Sequence, residues 1–277
     1  MSQSPIPIDQ WATPAGMTKS PIQRANQYGF RWHHIGRLGA KIPKFVAQIS
    51  SMPKYKLRRF AENKSFENVF EPSIAEVRDK KSPFAGKWDS HFGNENPITL
   101  ELGCGKGEYT LGLARMYPDR NFIGVDIKGA RIWRGAKTAT EEGLKNVAFL
   151  RTRIEFIERF FNPGEVSEIW LTFSDPQPKD EKGKRKLTAP VFLERYRKIM
   201  SETAIVHVKT DSTLLYDWTM EALPEANYNI EIHSADVYGD LCSRVDEEFQ
   251  EVMNIKTFYE RRWLKEGALI KYIRVRL

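Results

Sequence analysis

The sequence predicts an α/β fold in which a mostly parallel sheet is covered by helices on both faces. Three observations predict it. Short apolar runs alternate with helix-length amphipathic stretches from Ile98 onward, the first run ends in a glycine-rich turn, and the second ends in an acid. Ile98-Thr-Leu-Glu-Leu102 reads as a buried strand, followed by a helix over 108–116. Asn121-Phe-Ile-Gly-Val-Asp126 is the second strand, with a helical stretch over 129–142. Val147-Ala-Phe-Leu-Arg151 is the third, followed by a short helix over 154–161 that Pro163-Gly164 stops. The fourth strand covers 168–173, the fifth 204–209, with helices over 190–200 and 214–223. The alternation over 269–275 suits a final antiparallel strand. Crossovers between parallel strands are expected to be right-handed.

Composition bounds the rest. A chain of 277 residues, 41% hydrophobic and 29% charged, can bury one sizeable core. A net charge of +7 favours a polyanionic partner, because neutralised phosphates release counterions. Cys104 and Cys242 are the only cysteines, too few for a disulfide framework or a cysteine-based zinc cluster, so a reduced, cytoplasmic protein is expected. No apolar run approaches the roughly 18 residues that span a bilayer, and no membrane association is expected. No metal is expected either: His207 reads as a strand residue with no second histidine at ligand spacing.

Residues 1–51 differ in composition from the rest of the chain. They hold Pro5, Pro7, Pro14 and Pro21 and a single acid, Asp9, without apolar periodicity, and are expected to be a disordered extension. Being basic and acid-poor, the stretch also has the composition of a transit peptide. The preferred reading is that translation starts at Met52, where a basic segment over 52–97 begins; the α/β domain is expected over 98–277.

In a doubly wound sheet, ligands sit beyond the carboxyl ends of the strands. Gly103, Gly105 and Gly107 allow a tight strand-to-helix turn and close approach of a ligand. The turn lacks a Lys-Ser or Lys-Thr pair, so it is not a Walker loop. Glu101 lies within the strand, where a carboxylate needs a partner such as an ammonium group. Asp126 can accept both hydroxyls of a ribose or cap the next helix. On these residues alone a nicotinamide cofactor remains open. Asp175 follows the fourth strand directly, stiffened by Pro176 and Pro178, and Lys182-Gly-Lys-Arg-Lys186 suits phosphates or is an ordinary solvated loop. Trp133 and Trp170 read as packing residues.

With these residues in hand, the sequence resembles the bacterial-type tRNA (guanine-N7-)-methyltransferase family. Four motifs stand in order: Glu101-Leu-Gly-Cys-Gly-Lys-Gly107, Phe173-Ser-Asp-Pro-Gln-Pro-Lys179 leading to Lys184-Arg-Lys-Leu187, Thr210-Asp211, and Thr257-Phe-Tyr-Glu260. The resemblance implies a Rossmann-like, seven-stranded, S-adenosylmethionine-dependent enzyme that methylates N7 of a guanosine at position 46 in the variable loop of tRNA. It implies Glu101, Gly103, Gly105, Asp126 and Asp175 on the cofactor, with Asp175 catalytic, and Lys179, Asp211, Thr257, Phe258, Tyr259 and Glu260 on the RNA. The chain departs from the family pattern at Gln177, in place of Trp, at Asp180 and Glu181, in place of bases, and at Arg153, in place of an acid. Two other classes stay open: a methyltransferase of the same fold with another substrate, and an RNA-binding relative without turnover. Oligomeric state is not legible.

Overall fold

The computed structural model describes residues 54–78, 80–180 and 182–277; the expected extension over 1–51 lies outside them. In chain order they form α1 (Lys54–Asn63), β1 (Val69–Phe70), α2 (Ile74–Val77), α3 (Trp88–Phe92), β2 (Ile98–Leu102), α4 (Glu108–Met116), β3 (Asn121–Asp126), α5 (Gly129–Glu142) and β4 (Val147–Arg151). A 3-10 turn (Ile154–Arg159) follows, then β5 (Val166–Thr172), α6 (Pro190–Arg197), β6 (Met200–Thr210), α7 (Thr213–Glu225), β7 (Asn229–Ser234), α8 (Glu247–Asn254), α9 (Phe258–Lys265) and β8 (Lys271–Arg276).

The strands lie in the order β1-β4-β3-β2-β5-β6-β8-β7, and only β8 runs against the rest. β2 to β4 and α5 occupy the residues the sequence indicates, because short apolar runs alternate there with a helix-length amphipathic stretch. The count is a correction: eight strands rather than seven. The extra one, β1, is a two-residue edge strand paired with β4, too short to show a period. It belongs to the segment expected to precede the domain, so the sheet begins before Ile98.

Both faces are covered. Tyr109, Leu113, Ile132, Ala136 and Met253, from α4, α5 and α8, close one side, while Phe192, Tyr196, Tyr216 and Leu223, from α6 and α7, close the other with Trp88 of α3. This explains why the central strands are apolar along their whole length. His207 and Trp170 are core residues, stacked at 4.1 Å. From β2 the chain steps one way to β3 and β4, then returns to place β5 on the other side of β2. That reversal is a topological switch point, where an open α/β sheet leaves a crevice at the strands' carboxyl ends.

Candidate functional site

At the reversal the loops after β2 to β6 enclose a cleft of about 720 Å³. Five of the eleven residues that the resemblance assigns to cofactor or RNA line it: Gly103, Asp126, Asp175, Asp211 and Tyr259. Thr152, Arg153, Ile154 and Glu155 after β4 also line it, as do Arg131, Arg185 and Trp263. Trp263 was missed by sequence reasoning, although it stands four residues after Tyr259 on one helix face, which was the available signal.

The glycine turn follows from close packing. Gly103, Gly105 and Gly107 all have positive φ, and a Cβ on Gly107 would lie 2.5 Å from the Phe149 ring. A Cβ on Gly105 would meet nothing within 4 Å, so its outer face is open to a ligand. Asp126 spans turn and helix, its Oδ2 accepting the Gly105 N–H at 2.9 Å and its Oδ1 the Lys128 N–H at 2.7 Å. Asp126 therefore fixes the turn that leads into α5 without capping the helix, whose N-cap is Lys128, and it also lines the cleft.

Glu101 does not line the cleft. It is buried, and its carboxylate accepts hydrogen bonds from the Thr110 N–H and hydroxyl and from the Thr172 hydroxyl. Burial pushes its carboxyl up to about 7, against those hydrogen bonds, which pull it down.

After β5 the chain enters a strained bend. Phe173 (φ 52°) and Gln177 (φ 49°) are both left-handed, a conformation costing about 1–3 kcal/mol per residue and concentrated at functional sites. Asp175 lies between them, exposed, its Oδ1 held by the Gln177 N–H at 2.9 Å and its Oδ2 without a partner among the described residues. Ser174 Oγ is buried there, also without a partner among the described residues. Open glycine backbone, facing acids and a lone buried hydroxyl fit a nucleoside cofactor with a charged end. Among the described residues no three metal-ligating side chains cluster, and no helix is long and apolar enough to cross a membrane.

The basic loop behaves differently from its composition. Lys186 is 2% exposed, and its Nζ donates to the carbonyls of Gln177 and Asp180 at 3.1 and 3.2 Å, over the Trp218 ring. It staples the loop and is not available to RNA, whereas Lys179, Lys184 and Arg185 are exposed. Asp180 turns inward to accept the Arg185 N–H, so it opposes phosphates less than its charge suggests. A Cβ on Gly183 would lie 1.9 Å from Trp218, which fixes glycine there.

The Thr257-Phe-Tyr-Glu260 block is split. Phe258 and Tyr259 are exposed, but Thr257 is the N-cap of α9, its hydroxyl accepting the Glu260 N–H at 3.1 Å. Glu260 is fully buried and pairs with the equally buried Lys209 at 2.8 Å. Direct contact of Glu260 with RNA is thereby corrected: the carboxylate is interior and ties α9 to β6. Lys209 also donates to the Met253 carbonyl at 2.7 Å, and burial pushes its ammonium below the usual lysine value against the pull of Glu260. Asp211 is half-buried, which raises its carboxyl above the ordinary value, and its carbonyl accepts Lys271 Nζ at 3.2 Å.

Comparison with known proteins supplies the family context. The family described as "Putative methyltransferase" matches residues 95–273. A tRNA (guanine-N(7)-)-methyltransferase of Christiangramia forsetii is 51% identical over 225 residues, covering 81% of this chain and 98% of that protein. The protein of that name from Bacteroides thetaiotaomicron is 50% identical over 228 residues, covering 82% and 87%. Among solved structures, the 16S rRNA methyltransferase KamB superposes with a TM-score of 0.51 at 16% identity, covering 71% of this chain and 94% of that one, a likeness of fold alone.

Proposed function

The chain belongs to the tRNA (guanine-N(7)-)-methyltransferase family, and on that premise we propose how its residues carry the reaction. The activity is transfer of a methyl group from S-adenosylmethionine to N7 of a guanosine in tRNA. The target we assign is position 46 of the variable loop, and a cytoplasmic location fits that substrate. The observation that carries the reading is the cleft at the strand reversal, which Gly103, Asp126 and Asp175 line together.

When bound, S-adenosylmethionine supplies an electrophilic methyl group on a sulfonium. Asp126 is assigned to the ribose hydroxyls and Gly103 and Gly105 to close backbone approach. Arg153 stands where the family has an acid and is paired with Glu155 at 2.8 Å, so the adenine is assigned to the wall formed by Thr152 and Ile154. Guanine N7 is an open lone pair, so no proton leaves before attack and no strong base is required. The protein's part is alignment, which contributes roughly 7–11 kcal/mol at best, and stabilisation of the cationic base that forms. Asp175 Oδ2 is assigned that second role. Tyr259 and Asp211 line the same cleft and are assigned to hold the nucleotide.

Glu101 lies behind the cleft wall, with Oε2 accepting two hydrogen bonds and Oε1 one, and is assigned to the methionine ammonium through the acceptor position left on Oε1. Raised to about 7, it is partly protonated at neutral pH, so a cation beside it draws the proton off. S-adenosylmethionine affinity is then expected to rise with pH between 6 and 8 in calorimetry, and Glu101→Gln to bind weakly without that slope. For folding the sign is opposite. A carboxyl raised from 4.5 to about 7 makes the ligand-free protein lose stability as pH rises through that window, by about 3 kcal/mol in full. Glu101→Gln is therefore expected to be more resistant to urea than the parent protein at pH 8; an equally stable variant contradicts the burial argument.

Lys179, Lys184 and Arg185 are assigned to tRNA phosphates. Neutralising Lys184 and Arg185 to Gln is expected to raise the tRNA KM and flatten its salt slope by about 0.7–0.9 for each phosphate left without its cation. Lys186→Met is expected to lower thermal stability instead. The reaction itself is tested by incubating the enzyme with unmodified tRNA and digesting to nucleosides: 7-methylguanosine is expected, and a different methylated nucleoside, or none, would falsify the reading.

A further inference from the structure

We infer that the groove between α4 and α5 is a second track for the tRNA phosphodiester backbone, continuous with the cleft; the inference rests on the tRNA reading above. The groove measures about 650 Å³ and its wall includes Lys106, Arg115, Arg131, Arg134, Lys256 and Arg261, with Glu108 as the only acid among the described residues lining it. Arg131 lines both groove and cleft, so the two spaces share a wall.

Charge pairing separates this surface from an ordinary solvated face. Elsewhere most arginines among the described residues are tied to acids, as in Arg58–Glu62, Arg197–Glu194, Arg244–Asp240 and Arg262–Glu266. Within the groove Arg115 is held by Glu142 and Arg261 by Glu108. Arg131 and Arg134 have no acid partner among the described residues, although they stand on successive turns of α5. Lys106 lies over the Phe258 ring at 4.6 Å, and Lys256 has the Asn254 amide oxygen and the Tyr238 ring. Glu108 is itself neutralised, accepting the Phe258 N–H at 2.9 Å as well as pairing with Arg261. Arg131 and Arg134, three residues apart and so about 4.5 Å along α5, together with Lys106 and Lys256 are cations without a carboxylate partner among the described residues leading from the cleft rim, which matches a polyanionic strand whose neighbouring base occupies the cleft.

The test is Arg134→Gln with Lys256→Gln, assayed for tRNA KM against salt, with S-adenosylmethionine affinity and melting temperature measured beside it. The expected result is a KM raised about tenfold at low salt and a log–log salt slope reduced by about 1.4–1.8, at unchanged cofactor affinity. Arg134→Gln alone, on an exposed helix face, is expected to lower the slope by about 0.7–0.9 and decides the matter if the pair destabilises the fold. Lys81→Gln with Lys87→Gln, near the amino end of β5 where Lys81 bonds Asn162, is the charge-matched control and is expected to change neither quantity. Parental KM and slope in both groove variants, or an equal change in the control, overturns the track while the methylation reading stands. A parent enzyme that methylates no tRNA overturns the reading on which the track rests.

Discussion

Asp175→Ala is expected to lower kcat for tRNA methylation by about 10²–10³, the loss typical when one group aimed at developing charge is removed. The argument is geometric. The bend that carries Asp175 is held by two left-handed residues, by the Gln177 N–H on Oδ1 and by Lys186 bonding the Gln177 carbonyl. One carboxylate oxygen is thus fixed and the other is left to the cleft. Since Asp175 is exposed and buries nothing, its removal is expected to leave the melting temperature nearly unchanged. Asp175→Asn keeps the turn geometry and removes the charge. If charge is what matters, Asn and Ala variants are expected to lose similar turnover in single-turnover assays. Full activity in the Asn variant would assign Asp175 to loop geometry alone.

Lys209→Met is expected to destabilise the fold by about 3–5 kcal/mol, because it strands the Glu260 carboxylate in the interior. Neither side chain is exposed, and Glu260 Oε2 already lacks a partner among the described residues. Tyr238 donates its hydroxyl to the other oxygen. Removing both charges, with Lys209→Met and Glu260→Leu together, is expected to recover most of the stability in urea denaturation. It is not expected to recover activity, because the pair fixes the start of α9 and with it Tyr259 at the cleft. A double variant as unstable as the single one would show that packing around Tyr109 and Tyr238, rather than stranded charge, sets the loss.

Much of the cleft was legible because its parts are terminal: Gly103 and Asp126 mark strand ends, and two prolines mark the bend at Asp175. A strand order that returns past β2 then brings these ends together. Residues whose meaning depends on distant partners were not legible. Lys186 sits in a run that reads as solvated, and only Trp218, on the later helix α7, makes it interior. Glu260 completes a Thr-x-x-Glu pattern that looks the same whether the acid turns outward or, as here, toward Lys209. Edge strand β1 has no period to detect. Asp180, which stands where the family pattern has a base, is turned inward by the Arg185 N–H, a short-range bond that composition does not reveal.

The most direct measurement is a crystal structure with S-adenosylhomocysteine, the demethylated product. The expected result places its ribose on Asp126 and its sulfur in the cleft facing the Asp175 bend, with room for a base between them and about 3–3.5 Å between reacting atoms once the methyl is restored. A product seated elsewhere, with Asp175 turned away from its sulfur, would contradict the shared crevice and the mechanism built on it.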